Sequence, residues 1–161
     1  MNTPNTPMEE SNASLRLDDQ LCFALYAATN TITRAYRAPL AKLGLTYLQY
    51  LAMLVLWEHG VHNVKGLAER LDLDSSTITP LVKRLAAAGL IHRERDPLDE
   101  RNLRIELTRA GHSLREPTAR IQRGVACQTQ LAADEFLALR AQLHALVKRM
   151  AQPPDDETLQ A

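Results

Sequence analysis

No stretch of this 161-residue chain approaches the roughly 18 consecutive apolar residues of a membrane span. The opening segment, MNTPNTPMEESNAS, has no basic cluster leading into an apolar core, so it does not read as an export signal. Its polar, proline-bearing composition predicts a disordered arm over residues 1–14. These absences point to the cytoplasm and away from any membrane partner. Net charge is missing too. Nineteen lysines and arginines balance 19 aspartates and glutamates, so any pull on nucleic acid must come from local patterning. There are only two cysteines, Cys22 and Cys127, and no Cys-x-x-Cys. In a reducing compartment such a pair is not expected to form a permanent structural disulfide. Spacing alone leaves two readings open, small buried hydrophobes or reactive thiols. The five histidines, at 59, 62, 92, 112 and 144, lack ligand spacing, and His59 and His62 are expected on a loop near no cysteine. Neither metal nor other cofactor is expected. There is no internal repeat, and the length suits one domain with one core.

What is present is a helical pattern broken once. Leu17, Leu21, Leu25, Ala28 and Ile32 recur at helical spacing, and Pro39 with Gly44 limits this first helix, which is expected to begin near Asp18. Thr46-Tyr47-Leu48-Gln49 fits a capping box opening a helix to about Glu58. Asn63 is placed to cap a short helix through Leu71, and Asp74 or Ser75 another that stops at Gly89. Over residues 90–107 the period changes to two on either side of a charged turn, Asp96-Pro97-Leu98-Asp99-Glu100-Arg101-Asn102, which predicts a hairpin. Thr108 then caps a long helix kinked at Pro117, and residues 134–150 form a last amphipathic helix. The expected fold is mainly α, a winged helix-turn-helix with a small β-hairpin wing plus a helical dimerisation region. Residues 15–151 make this single domain, with dimerisation over 15–45 and 109–151 and DNA binding over 46–108. Residues 152–161 read as a frayed tail.

The second short helix of the pair separates into two faces. Ile78, Leu81, Val82 and Leu85 are spaced for burial. Ser76, Thr79, Pro80 and Lys83 fall opposite, with Ser75, Thr77 and Arg84 nearby. Short hydroxyl side chains approach base edges and phosphates closely, and a helix N-terminus favours phosphate; a solvated face would carry the same hydroxyls. Pro80 removes a helical hydrogen bond on the outward face, a local rule broken where a functional surface would lie. In the hairpin, Arg93, Arg95, Arg101 and Arg104 cluster, and Arg101 sits at the turn, placed to enter a minor groove. Asp99 is placed to orient that guanidinium or to serve ordinary turn chemistry. Residues 64–104 hold eight basic and seven acidic side chains, so these arginines must be segregated in space if the module is to bind a polyanion.

The stretch LAERLDLDSSTITPLVKRLAAAGLIHRERDPLDERNLRIELTRAG resembles the winged helix of MarR-family regulators, with Asp99-Glu100-Arg101 and Leu107-Thr108 to Gly111 matching in order and spacing. Residues 17–59, carrying Leu21-Cys22-Phe23, resemble the organic-hydroperoxide-sensing, OhrR-like subgroup. The resemblance covers roughly residues 15–150. It implies a homodimeric repressor that holds double-stranded DNA at a pseudo-palindromic operator and releases it on oxidation. It implies Cys22 as the sensing thiol, Tyr36 and Tyr47 as hydrogen-bond donors to the sulfur, and Cys127 as a resolving thiol on the other subunit. It carries the DNA-binding role onto Ser75, Ser76, Thr77, Thr79, Lys83, Arg84, Asp99 and Arg101.

The residues bear on that chemistry independently. A helix N-terminus stabilises a thiolate, the form that attacks a peroxide, and Cys22 lies within the first turns of its helix. Asp18 and Asp19 oppose this, which makes neutral phenolic donors useful. Leu21, Phe23, Leu25 and Tyr26 supply apolar surroundings suited to an alkyl hydroperoxide. Cys22 and Tyr36 are fourteen residues apart and share a helix face, yet lie about 21 Å apart along the axis. If Tyr36 touches a Cys22 sulfur, that sulfur belongs to another subunit. Two further readings stand beside this one: a MarR-type regulator released by a small aromatic ligand, in which Cys22 only packs, and a thiol peroxidase. The latter lacks a thioredoxin-like βαβ pattern and leaves the winged helix unexplained, so the chain does not read as an enzyme.

Overall fold

Thr46 sets a boundary as its sequence context demands. Its Oγ1 accepts the Gln49 backbone N–H at 3.3 Å while Gln49 Oε1 accepts the Thr46 N–H at 2.8 Å, two otherwise orphaned donors satisfied reciprocally. A computed structural model describes residues 15–95 and 103–152. In chain order it holds α1 (Leu21–Ala41), α2 (Tyr47–His59), β1 (His62–Asn63), α3 (Val64–Leu71) and α4 (Ser75–Ala87). There follow β2 (Ile91–Arg95), β3 (Leu103–Leu107), α5 (Arg109–Ser113), α6 (Arg115–Gln128) and α7 (Ala133–Met150). The turn 96–102, with Asp99 and Arg101, lies outside the described residues. The chain divides into two units, one ending at Gln122 and one starting at Arg123.

The first unit is the winged helix-turn-helix. Asn63 caps α3 by accepting the Gly66 N–H at 2.7 Å, and Gly89, with φ +70°, lets the chain leave α4 through the left-handed region. Ile78, Leu81, Val82 and Leu85 are all buried, joining Leu40, Met53, Leu56, Leu67 and Ile105 in the core. Each such side chain contributes about 1.5–3 kcal/mol of burial. β2 and β3 pair antiparallel from Ile91↔Leu107 to Arg95↔Leu103. A third strand, β1, joins the other edge of β3 through His62↔Ile105 and Asn63↔Arg104, giving the order β1-β3-β2. His62 is therefore in a strand rather than a loop, and His59 is the last residue of α2.

Three further boundaries differ from expectation. The first helix begins at Leu21, because residues 17–19 form a separate 3-10 turn that holds Asp18 and Asp19. Asp74 is the N-cap of α4, yet its side chain makes no capping hydrogen bond. The long helix after Thr108 is broken at Leu114 into α5 and α6, so Pro117 falls in the first turn of α6. A missing N–H there removes no intrahelical bond, and the ring produces no kink.

A latch ties the wing to the helices. Thr108 donates its hydroxyl to the Gly89 carbonyl at 2.7 Å and accepts the Gly111 N–H at 3.0 Å. Trp57 donates Nε1–H to the Gly111 carbonyl at 3.0 Å. In the second unit, Glu135 Oε2 accepts the Ala132 N–H at 2.8 Å to open α7. Asp134 and Glu135 in its first turn and Lys148 and Arg149 in its last complement the helix dipole. α7 buries no residue, and Leu137, Leu139, Leu143 and Val147 stay exposed on it.

Candidate functional site

Two sites emerge in the first unit. At the first, α4 presents Ser75, Ser76 and Thr77 to solvent in its opening turn, with Pro80, Lys83 and Arg84 exposed beyond them. Thr79 is half-buried, and its hydroxyl donates to the Ser75 carbonyl at 2.8 Å. That proton is committed to the helix itself, so Thr79 offers a ligand acceptor capacity only. Among the described residues, Lys83 and Arg84 have no acidic partner within ion-pair distance.

Wing register sorts the arginines. Directly opposed residues of an antiparallel pair share a face. Arg93 (opposite Ile105) and Arg95 (opposite Leu103) therefore continue the face begun by buried Ile91 and Leu107. Arg104 lies on the other face, opposite Glu94, with Nη2 3.4 Å from Glu106 Oε2. Arg93 and Arg95 are exposed and have no ion pair among the described residues, whereas Arg104 is paired with Glu106. The three described wing arginines are thus split between two faces.

The second site is aromatic. Tyr36 of α1 meets Tyr47 and Tyr50 of α2 with ring centroids 5.4 and 5.3 Å away, and Tyr47 and Tyr50 are 5.9 Å apart. Tyr36 and Tyr50 are buried and Tyr47 is half-buried. Burial pushes all three phenols above their ordinary value, Tyr50 furthest, with each neighbour's developing charge adding to the effect on Tyr47 and Tyr50. They stay neutral well above physiological pH. Contact between the Tyr36 and Tyr50 hydroxyls raises Tyr50 further and offsets part of the rise at Tyr36. Tyr50 was not singled out from the sequence, although its place three residues after Tyr47 puts both on one helix face.

Cys22 does not join this cluster within its own chain. It is exposed at the second residue of α1, about 21 Å along the helix from Tyr36. Cys127, in the last turn of α6, is likewise a free, exposed thiol, and it borders an apolar hollow of about 390 Å³ with Leu131, Phe136 and Leu137. His59 and His62 approach to 5.9 Å, but no group of three metal-type ligands gathers among the described residues. Among those residues no helix is long and apolar enough to cross a membrane.

Known proteins share this fold. The family model described as MarR family matches residues 45–103. The organic hydroperoxide resistance transcriptional regulator of Bacillus subtilis (strain 168) is 39% identical over 145 residues, 90% of this chain and 99% of that one. The structure of reduced AbfR bound to DNA aligns with a TM-score of 0.72 at 32% identity, covering 90% of this chain and 100% of that one. AbfR, a Staphylococcus epidermidis protein, has also been solved with its disulfide formed. That form aligns at 0.60 and 31% identity over 88% and 94% of the two chains.

Proposed function

The chain belongs to the MarR family of transcriptional regulators, and from that premise we propose that it is a redox-sensing repressor. Reduced, it is a cytoplasmic homodimer that holds a pseudo-palindromic operator in double-stranded DNA. Oxidation of Cys22 by an organic hydroperoxide, followed by a disulfide to Cys127 of the other subunit, releases the operator. The observation that carries this reading is the cluster of three neutral phenols around Tyr36, from which its own chain's Cys22 is far out of reach. That is a prepared seat for a sulfur arriving from a second copy.

The chemistry is a two-electron oxidation. The Cys22 thiolate attacks the terminal peroxide oxygen and the O–O bond breaks. The alkoxide leaves, takes up a proton and becomes the alcohol, and the sulfur becomes a sulfenic acid. The Cys127 thiol then displaces hydroxide, which leaves as water, and the S–S bond forms. Tyr36 and Tyr47 act as neutral donors that orient the sulfur without quenching it. One oxidant is consumed per switch, so this is signalling rather than turnover.

On DNA, α4 is assigned to the major groove through Ser75, Ser76, Thr77, Thr79, Lys83 and Arg84. Arg101, oriented by Asp99, is assigned to the minor groove, and the dimer spaces two recognition helices about 34 Å apart. Arg101→Ala is expected to weaken operator binding by roughly 1–3 kcal/mol, and Lys83→Ala chiefly to flatten its salt dependence. Arg104→Ala should matter less, because Glu106 already engages that guanidinium. Unchanged affinity in Arg101→Ala, measured by fluorescence anisotropy, would remove the wing from the mechanism.

The deciding experiment is a gel-shift titration with and without an alkyl hydroperoxide on wild type, Cys22→Ser, Tyr36→Phe and Tyr47→Phe. Cys22→Ser should bind DNA and ignore the peroxide, while the tyrosine variants bind normally and respond sluggishly. Release of DNA by peroxide in Cys22→Ser would sink the assignment. A second reading, release by a small aromatic acid, is favoured by a hollow of about 310 Å³ lined by Tyr50, Leu54, Trp57 and Arg115. Ligand-driven release in Cys22→Ser would select it.

A further inference from the structure

We infer, resting on the sensing role proposed above, that Trp57 is the positioning residue through which the tyrosine cluster acts on α4 and the wing. Tyr50 of the cluster and Trp57 stand seven residues apart on α2, close to two turns, and both line the hollow of about 310 Å³. α2 joins them rigidly. Tyr47–His59 contains neither glycine nor proline, and Tyr50, Ala52, Met53, Val55 and Leu56 are buried along it. A displacement forced on the Tyr50 end therefore reaches Trp57, about 10 Å further along the axis.

From Trp57 a chain of hydrogen bonds leads to both elements assigned to DNA. The indole donates Nε1–H to the Gly111 carbonyl at 3.0 Å. The Gly111 N–H goes to Thr108 Oγ1 at 3.0 Å, and that hydroxyl donates to the Gly89 carbonyl at 2.7 Å. The Leu90 carbonyl accepts the Thr108 N–H, and the Leu90 N–H returns to the Leu85 carbonyl of α4, each at 3.0 Å. Gly89 and Leu90 thus form the exit from α4, and the next residue, Ile91, opens β2 of the wing. The middle of the chain has no slack, because a Cβ at Gly111 would run into the Leu90 carbonyl oxygen. α5 is little more than one turn, so its carbonyls look beyond it for donors, and an indole N–H can only donate. A shift of Trp57 must carry Gly111 with it or break the bond, and either result is felt at the exit of α4.

The test uses the full chain and Trp57→Phe, which keeps an aromatic ring and removes the donor. Reduced, the variant should bind operator as wild type does, and tert-butyl hydroperoxide should oxidise its Cys22 at the wild-type rate. The drop in operator affinity on oxidation should shrink roughly tenfold, as expected for one lost hydrogen bond. Thr108→Val breaks the same chain beyond Gly111 and should act alike, and the two changes together should add little. Asn63→Ala removes the α3 cap, outside this chain, and should lower the melting temperature yet leave the drop intact. An undiminished drop in Trp57→Phe, an equal loss in Asn63→Ala, or slower Cys22 oxidation in Trp57→Phe would overturn the inference. Trp57 is the single tryptophan, which gives a readout that needs no oxidant. Coupling is reciprocal, so operator added to the reduced protein should shift Trp57 emission, and Thr108→Val should lose that shift. Emission indifferent to operator would equally overturn the role. If no hydroperoxide oxidises Cys22 while operator still shifts Trp57 emission, the sensing role fails and the link from α2 to α4 survives.

Discussion

Gly111→Ala is expected to destabilise the fold by about 3 kcal/mol or more, lowering the melting temperature by roughly 10 °C. The substitution is informative because helix propensity predicts the opposite sign. Gly111 lies in α5, where alanine would ordinarily gain up to about 1 kcal/mol over glycine. A Cβ built there falls 2.1 Å from the Leu90 carbonyl oxygen and 3.1 Å from the Leu107 side chain. Neither a carbonyl fixed in the backbone nor a buried leucine moves aside cheaply. Leu90 is held where it is because its carbonyl accepts the Thr108 N–H at 3.0 Å. Forcing α5 outward would strain the Thr108 bonds to Gly89 and Gly111 and the Trp57 bond to the Gly111 carbonyl. Gly124→Ala is the control. Its Cβ meets nothing within 4 Å in the middle of α6, so propensity alone should act and stabilise the protein slightly. Thermal unfolding of both variants checks the argument, and a Gly111→Ala protein that melts with wild type would refute the close approach.

That glycine shows what a single sequence can and cannot disclose. Its place in Leu107-Thr108-x-x-Gly111 was readable as part of a resemblance, but its reason, a carbonyl from another segment, is visible only in three dimensions. Features fixed by neighbours in the chain were legible. The Thr46–Gln49 box, the Asn63 cap and the buried stripe Ile78-Leu81-Val82-Leu85 depend on residues within a turn or two of one another. β1 was missed because two residues cannot show an alternation, and it exists only through its pairing with β3. The break at Leu114 was misplaced to Pro117 because a proline signals strongly even where it does no harm. Of the aromatic cluster, Tyr36 and Tyr47 are candidates on the resemblance alone, whereas Tyr50 joins them only through the way α1 packs on α2. The wing arginines were counted correctly but their two faces needed the strand register. Leu21 and Tyr26 on α1 stay exposed, as do the apolar residues of α7. Their partner surface, if it is a second copy, cannot be read from one chain's periodicity.

Oxidation by an alkyl hydroperoxide is expected to convert the wild-type protein into a covalent dimer linked twice, with operator affinity falling by up to about a hundredfold. The expectation follows from α1. A continuous helix from Leu21 to Ala41 keeps Cys22 and Tyr36 about 21 Å apart, and no rotamer change closes that gap. A Cys22 sulfur seated on the tyrosine cluster must therefore come from a second chain whose α1 runs past the first roughly antiparallel. The exposed Cys127 would supply the resolving thiol from the opposite subunit. A disulfide requires its Cα atoms within about 7 Å, a spacing that independently packed elements meet only after moving. Helices dragged together to close the bond would rotate the two winged modules and spoil the one-turn spacing of the operator contacts. Non-reducing gels separate the alternatives. Mixed dimers of Cys22→Ser and Cys127→Ser chains should carry one link. Cys127→Ser alone should be oxidised at Cys22 by mass yet run as a monomer, and Cys22→Ser alone should stay unoxidised and also run as a monomer. Wild type that runs as an oxidised monomer, with an internal disulfide found by peptide mapping, would disprove the cross-subunit switch and leave the tyrosine cluster without its sulfur.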